Sequence, residues 1–335
     1  MPNLPKPRLR RSDRATQLAA PSPPTEREPR IETVEAAGLR WINIPRPTAL
    51  EWTWLGENFD FHALDLEDVL SLNQRPKIDE YPDYLFVVLH FPVYDPKVGR
   101  LNSGELDMFV GPDFVITIPN QPIQPIDYLF ERSRSEEEFR DKLFSRGSGY
   151  LMYRAVDDSF DYCFPMLRKI GNKLDAIEED VFTEGRSQEI VRDLFEVKQE
   201  IINFRKVIRP QRPVLRDLEN VKRRFLDPNT ELEIYFDDIV DAHERIWDML
   251  ENYKEVVSAL EETNESVLDH RGNEILRVLT SISVIVLPLT LIASVWGMNV
   301  RVPGEGDSED FYLVLAGMVV ILVAMLVYFR RRGWL

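Results

Sequence analysis

Cysteine is nearly missing from this 335-residue chain, which has only Cys163. One thiol excludes an intrachain disulfide and any cluster of thiolate metal ligands. Histidine is scarce too: His62, His90, His243 and His270 are scattered along the length, which argues against a His-cluster catalytic centre. Positive charge is in deficit, with 41 Lys and Arg against 57 Asp and Glu and a formal net charge of −16. Nucleic-acid binding needs a basic footprint that displaces counterions, so nucleic acid is not an expected partner. No phosphate loop of the G-x-x-x-x-G-K-[ST] type occurs, and no nucleophile–base pair stands out. No enzyme is expected. The acidic balance suits cations.

The chain does contain two long apolar runs. The mean hydropathy of −0.26 hides them, because both lie at the C-terminal end. Residues 278–296 and 311–329 are each 19 residues without a charge. At 1.5 Å per residue, each can cross a hydrocarbon core of about 30 Å. A membrane protein with a large acidic body and two C-terminal spans is expected.

Four regions follow from composition and periodicity. Residues 1–30 hold seven prolines and seven basic residues against three acidic ones; this is read as a disordered tail, not a secretory signal. Residues 31–148 mix strand-like runs (40–44, 84–91, 106–110 and 114–118) with short charged helices at 62–72 and 133–144, giving a cytoplasmic α/β domain. Residues 149–274 are helical, interrupted by Pro210 and Pro213 and by Asp227-Pro228. Residues 275–335 form the membrane domain, with a short outer loop at 297–310.

Two stripes carry the functional argument. Ile239, His243, Ile246, Leu250, Tyr253, Val257, Leu260, Asn264 and Val267 recur in alternating steps of four and three, a coiled-coil-like seam on one long stalk helix. The seam fits packing against the chain's own upstream helices; its polar members His243, Tyr253 and Asn264 suggest register-setting contacts between copies. Farther along the same helix, Asn273, Leu276, Thr280, Ser283, Leu287, Thr290 and Ser294 line one side at the same spacing. Hydroxyls in a span can bond their own backbone or a neighbouring helix. Here they alternate with bulky Leu276 and Leu287, and apolar constrictions between polar positions are what a dewetting gate needs. Two spans cannot enclose a path alone, so transport would require several subunits.

The flanks set the orientation. Arg271 and Arg277 precede the first span and Arg330, Arg331 and Arg332 follow the second, whereas the loop holds Arg301 against Glu305, Asp307, Glu309 and Asp310. The positive-inside bias puts both termini in the cytoplasm. Trp296-Gly297-Met298-Asn299 closes the first span at the outer face. A neutral amide oxygen at Asn299 suits Mg2+, which gives up its water reluctantly.

A Gly-Met-Asn tripeptide between two C-terminal spans, after a long stalk helix, resembles the CorA family of magnesium transport proteins. Leu66-Glu67-Asp68-Val69, Gln74-Arg75-Pro76-Lys77, Pro288-Leu289-Thr290 and Gly333-Trp334-Leu335 fit the same pattern. The resemblance covers about residues 40–335. Trp296, and leucine at 276 and 287, depart from the commonest pattern, which has tyrosine and often methionine. The resemblance implies an α+β membrane protein forming a homopentameric funnel. Five copies of the first span would make a channel for Mg2+, and also for Co2+ and Ni2+, with Gly297, Met298 and Asn299 as the outer ion-selecting ring. Asn273, Leu276, Leu279, Leu287 and Thr290 would line the pore, and Asp68 and Asp238 would meet across subunits as a regulatory Mg2+ site. The cell inner membrane is the expected location, with the mitochondrial inner membrane as the alternative. Competing readings are a Zn2+ transporter of this architecture and a membrane-anchored sensor or scaffold.

Overall fold

A computed structural model describes residues 28–71, 74–95, 99–183, 185–219, 232–298 and 308–334. Most of the tail, Asp227-Pro228, most of the outer loop and Leu335 lie outside the described residues.

Six strands form one sheet in the order β1-β2-β6-β5-β4-β3. They are β1 (Glu32–Ala36), β2 (Leu39–Asn43), β3 (Lys77–Glu80), β4 (Leu85–Asp95), β5 (Arg100–Val110) and β6 (Phe114–Pro119). The β2–β6 pair is parallel and the other pairs are antiparallel. The four expected strand runs are all present. The two that periodicity misses, β1 and β3, are short, charged edge strands with no apolar run to announce them. Ala37 and Gly38, both at positive φ (51° and 79°), make the tight turn joining β1 to β2.

Helices cover both faces of the sheet. On one side α1 (Ala49–Asn58) and α2 (Ala63–Leu70) bury Leu55, Leu66 and Val69 against Ile42, Phe86, Val88, Phe109 and Ile116. On the other, α3 (Gln124–Ser135), α4 (Glu137–Phe144) and α5 (Gly147–Asp161) pack on Trp41, Leu85, Val87, Leu106 and Met108. A strand buried on both faces has no polar side to show, which explains the unbroken apolar start of β4. The helix expected at 133–144 is two helices, because Glu136 takes an extended conformation between α3 and α4. Helix α1 begins with a capping box, Thr48 and Glu51 satisfying each other's backbone groups.

Beyond α5 the chain becomes a bundle. Helices α6 (Cys163–Asp180) and α7 (Ser187–Ile208) form an antiparallel hairpin, and a 3-10 turn through Pro210 leads into α8 (Arg212–Glu219). All of them pack on α9, a single helix from Leu232 to Trp296. Its 65 residues make a rod about 100 Å long. It passes Gly272 without a break and contains Pro288. The last helix, α10 (Ser308–Arg331), returns beside its C-terminal third.

The seam on α9 is buried within the chain. Ile239, His243, Ile246, Leu250, Val257, Leu260 and Asn264 are all buried, against the chain's own α5, α6 and α7. His243 Nε2 lies 2.9 Å from the carbonyl of Ile208, and its ring meets Phe160 edge-on. Tyr253 rests on Gly171. The expectation that His243, Tyr253 and Asn264 set register between copies is therefore corrected: an internal partner fills the seam. Lys198–Glu261 at 2.8 Å and the Arg205–Glu251 pair tie α7 to α9 along the same line.

Gln211, fully buried, joins bundle to sheet. Its amide accepts from His90 N at 2.9 Å and donates to His90 O at 2.7 Å, acting as a one-residue extension of the sheet where β3 has ended. Helix α5 lies between sheet and stalk, with Phe160 touching both Phe91 and His243.

A Cβ added at Gly171 would stand 2.8 Å from the hydroxyl oxygen of Tyr253. Gly171→Ala is therefore expected to lower the thermal midpoint of the detergent-solubilised chain. In a Tyr253→Phe background the obstructing atom is gone, and the same change should stabilise by up to about 1 kcal/mol, the helix preference of alanine over glycine. Thermal unfolding of the four variants checks the reversal of sign.

Candidate ion pathway and charged sites

Two described helices, α9 beyond its stalk and α10, are long and apolar enough to cross a membrane. Where they meet, α9 turns Ser281 and Ile285 inward, and both are buried. At 100° per residue, the line from Asn273 to Ser294 lies on roughly the opposite side. All seven residues of that line, and the flanking Leu279, are exposed in the single chain, Leu276 at 60% and Leu287 at 68%. Three hydroxyls on it bond the helix's own carbonyls: Thr280 to Leu276 O at 2.7 Å, Ser283 to Leu279 O at 2.9 Å and Thr290 to Val286 O at 2.9 Å. Each keeps acceptor lone pairs free while its proton is engaged. The stripe therefore presents oxygen acceptors and leucine side chains outward.

At its C-terminal end the helix closes on Gly297, whose N–H reaches Ala293 O at 2.9 Å. A Cβ there would sit 3.1 Å from that same oxygen, so glycine permits the tight exit. Met298 follows, 55% exposed. Asn299, the third residue of the expected ring, lies outside the described residues.

At the inner end, arginine carries most of the contacts. Arg271 reaches the tip of the α6–α7 hairpin, donating to Ser187 Oγ at 3.2 Å and to the carbonyls of Phe182 and Thr183 at 3.3 Å. Arg277 lies 5.9 Å from the ring of Trp334, which folds back on Phe329 through Gly333 at positive φ. The closing Gly333-Trp334 pair thus ties the end of α10 to the start of the first span.

The two expected regulatory carboxylates stand in different settings. Asp68, on α2, meets Lys77 of β3, with Oδ2 to Nζ at 2.7 Å; the same ammonium reaches Asp79 Oδ2 at 2.5 Å. The Gln74–Lys77 segment that brings Lys77 there is pinned by Gln74 N donating to Glu105 Oε2 at 2.9 Å. His90 Nε2 lies 3.2 Å from that same oxygen. Behind these groups Asp107 is buried with Oδ1 unpartnered; burial, and then the charges of Glu105 and Asp68, hold its carboxyl well above the usual range. Glu105 and Asp107 are site neighbours that the sequence reasoning passed over. Their alternate placement on β5, facing the acidic helix α2, was the available signal.

Asp238 is exposed near the start of α9, close to Tyr153 of α5. Its neighbourhood is acidic. Asp157 is pushed up to about 6 by burial and the charge of Asp161, against the pull of Arg154 at 2.9 Å. Within one chain the structure does not bring Asp68 and Asp238 into a common cluster. Among the described residues no three His, Cys, Asp or Glu converge to hold a metal.

Comparison with known proteins fits this arrangement. The family model described as "CorA-like Mg2+ transporter protein" matches residues 36–331. The cobalt/magnesium transport protein CorA of Thermotoga maritima is 34% identical over 302 residues, covering 88% of this chain and 83% of that protein. The CorA protein of Methanocaldococcus jannaschii is 24% identical over 312 residues, 92% of this chain and 96% of its own length. The complete structure of the CorA magnesium transporter from Methanocaldococcus jannaschii superimposes with a TM-score of 0.78 at 22% identity, covering 90% and 93% of the two chains. The full-length structure of CmaX gives 0.69 at 21% identity, covering 88% and 89%. The chain is an α+β membrane protein with one long helix and two apolar C-terminal helical segments. It belongs to the CorA family.

The Asp157 setting has a pH signature. Its carboxyl titrates near 6 in the folded chain against an ordinary value of 3.8, so the folded state holds the proton more tightly than the unfolded one. Its contribution to stability is greatest below the ordinary value, is lost as pH rises through about 6, and is flat above. Asp157→Asn should flatten that fall, which thermal unfolding at closely spaced pH values between about 4 and 7 would reveal.

Proposed function

We propose that copies of this chain assemble around an axis, as a homopentamer on the family's pattern, so that their first spans enclose a channel for Mg2+. The observation that supports this best is the stripe from Asn273 to Ser294. It is exposed in one chain and directed away from α10, so only further copies can shield it from lipid. In such a ring the hydroxyl oxygens face a hydrated ion, and Leu276, Leu279 and Leu287 form the apolar constriction where water is hard to retain. Gly297, Met298 and Asn299 form the outer entrance, where a neutral oxygen can contact the hydration shell without stripping it.

Ion entry is passive. An inside-negative potential of 100 mV favours a divalent cation by about 4.6 kcal/mol, twice the value for a unit charge. Co2+ and Ni2+, with comparable hydration shells, would share the path. Mg2+ is both cargo and regulator: Asp68 and Asp238, facing each other between subunits, repel until a divalent cation neutralises them. Low internal Mg2+ then loosens the ring and favours opening. The protein works in the cell inner membrane, with both termini in the cytoplasm.

In proteoliposomes under an inside-negative potential, Mg2+ should enter, and the flux should fall as Mg2+ inside is raised. Asn299→Ala should abolish entry while the protein remains inserted and assembled. Entry of Zn2+ but not Mg2+ would move the cargo to zinc, and full activity of the Asn299 variant would move the reading to a sensor or scaffold.

A further inference from the structure

We infer that Lys77 is a built-in competitor for the divalent cation at Asp68, a tethered monovalent cation that sets how much Mg2+ is needed to close the channel. The inference deepens the proposed function and rests on Asp68 being a regulatory ligand there. Three observations carry it.

The first is occupancy. Lys77 Nζ stands 2.7 Å from Asp68 Oδ2, so one of the two carboxylate oxygens open to a divalent ion already holds an ammonium. An ion binding that oxygen would also meet a like charge within a few ångströms. Two cations crowded on one partly buried carboxylate repel each other more strongly than they would in bulk water. Both cannot stay.

The second is that Lys77 is placed, not free. It opens β3 opposite Val88, while Asp79, two residues on, lies opposite Phe86. Residues two apart share one face of a strand, so Asp79 follows the ammonium on the same side and reaches it at 2.5 Å. The ammonium also lies 5.0 Å from the centre of the Phe86 ring. Its side chain is 30% exposed and that of Asp68 22%, partly out of water, where a single charge pair is screened less than at an open surface.

The third is that a displaced ammonium has somewhere to go. Asp79 remains available, and Asp107 presents Oδ1, buried and without a partner among the described residues. Among the charges acting on Asp107, those of Glu105 and Asp68 repel its anion and that of Lys77 attracts it. When a divalent cation takes Asp68, the ammonium keeps Asp79 and can turn toward the unpartnered Oδ1 of Asp107. Exchange, not simple addition, is then the binding event. The Mg2+ affinity of the site is its intrinsic affinity reduced by the cost of breaking the Lys77–Asp68 pair.

The sign of the effect makes the inference testable. A residue that merely supports the site would weaken Mg2+ control when removed, as loss of Asp68 should. A competitor does the reverse. In full-length protein reconstituted in proteoliposomes, Lys77→Met should lower the internal Mg2+ giving half-maximal inhibition by about 1.5- to fivefold, the range expected for one partly exposed ion pair. Lys77→Arg, which keeps the charge, should leave the midpoint near that of the parent. In an Asp68→Asn background Lys77→Met should have no further effect. A second readout, the Mg2+ concentration that protects the detergent-solubilised variant from thermal unfolding, should shift in the same direction even if flux through the variant is poor. An unchanged or raised midpoint in Lys77→Met, with the parent still inhibited by Mg2+ and Asp68→Asn released, overturns the competitor role alone. A parent that internal Mg2+ does not inhibit overturns the regulatory reading beneath it.

Discussion

Everything in this chain hangs on one helix that must satisfy two solvents. Through its first half α9 buries an apolar seam against α5, α6 and α7, and its charged faces look to water. From Val278 to Trp296 it carries no charged side chain, and among the described residues α10 packs beside it. The backbone hydrogen bonding runs through both regimes, and no loop intervenes where unpaired N–H and C=O groups would need water. The sheet domain and the hairpin are organised around that continuity. They clothe the part of the rod that stands outside the apolar segment and stop where that segment begins.

The family relationship gives this arrangement its meaning, and the local geometry adds what family membership alone does not. On the stripe from Asn273 to Ser294, the hydroxyl protons of Thr280, Ser283 and Thr290 are engaged by the helix's own carbonyls, which leaves oxygen lone pairs outward without a titratable group between residues 278 and 296. Charge is concentrated in the sheet domain and the stalk. There Asp68, Glu105, Asp107, Lys77 and Asp79 make a half-buried cluster on the sheet, and Asp157, Asp161 and Asp238 gather acid where α5 meets the stalk.

Much of the fold was legible because burial leaves a periodic trace. The runs at 84–91, 106–110 and 114–118 became central strands, and the four–three spacing from Ile239 to Val267 became one face of a long helix. Edge strands β1 and β3 left no such trace, since their side chains are charged and half their backbone faces solvent. Helix α1 could have been found from Thr48 and Glu51, a capping box that was not used. The seam shows the limit of periodicity: it says that a helix face is covered, and His243, Tyr253 and Asn264 were equally compatible with a second copy and with the chain's own Ile208 and Gly171. In the candidate site, the stripe from Asn273 to Ser294 was readable as a line. The partnership of Asp68 with Lys77 was not, because it depends on how the Gln74–Lys77 turn folds back under α2.

The hairpin of α6 and α7 is fastened to α9 at both ends: His243 holds Ile208 at one end, and Arg271 holds Phe182, Thr183 and Ser187 at the other. The anchor points are separated by about 42 Å of helix. A slender rod splinted over that length is stiffened against bending, so the stalk keeps one direction from the bundle to the start of the apolar segment.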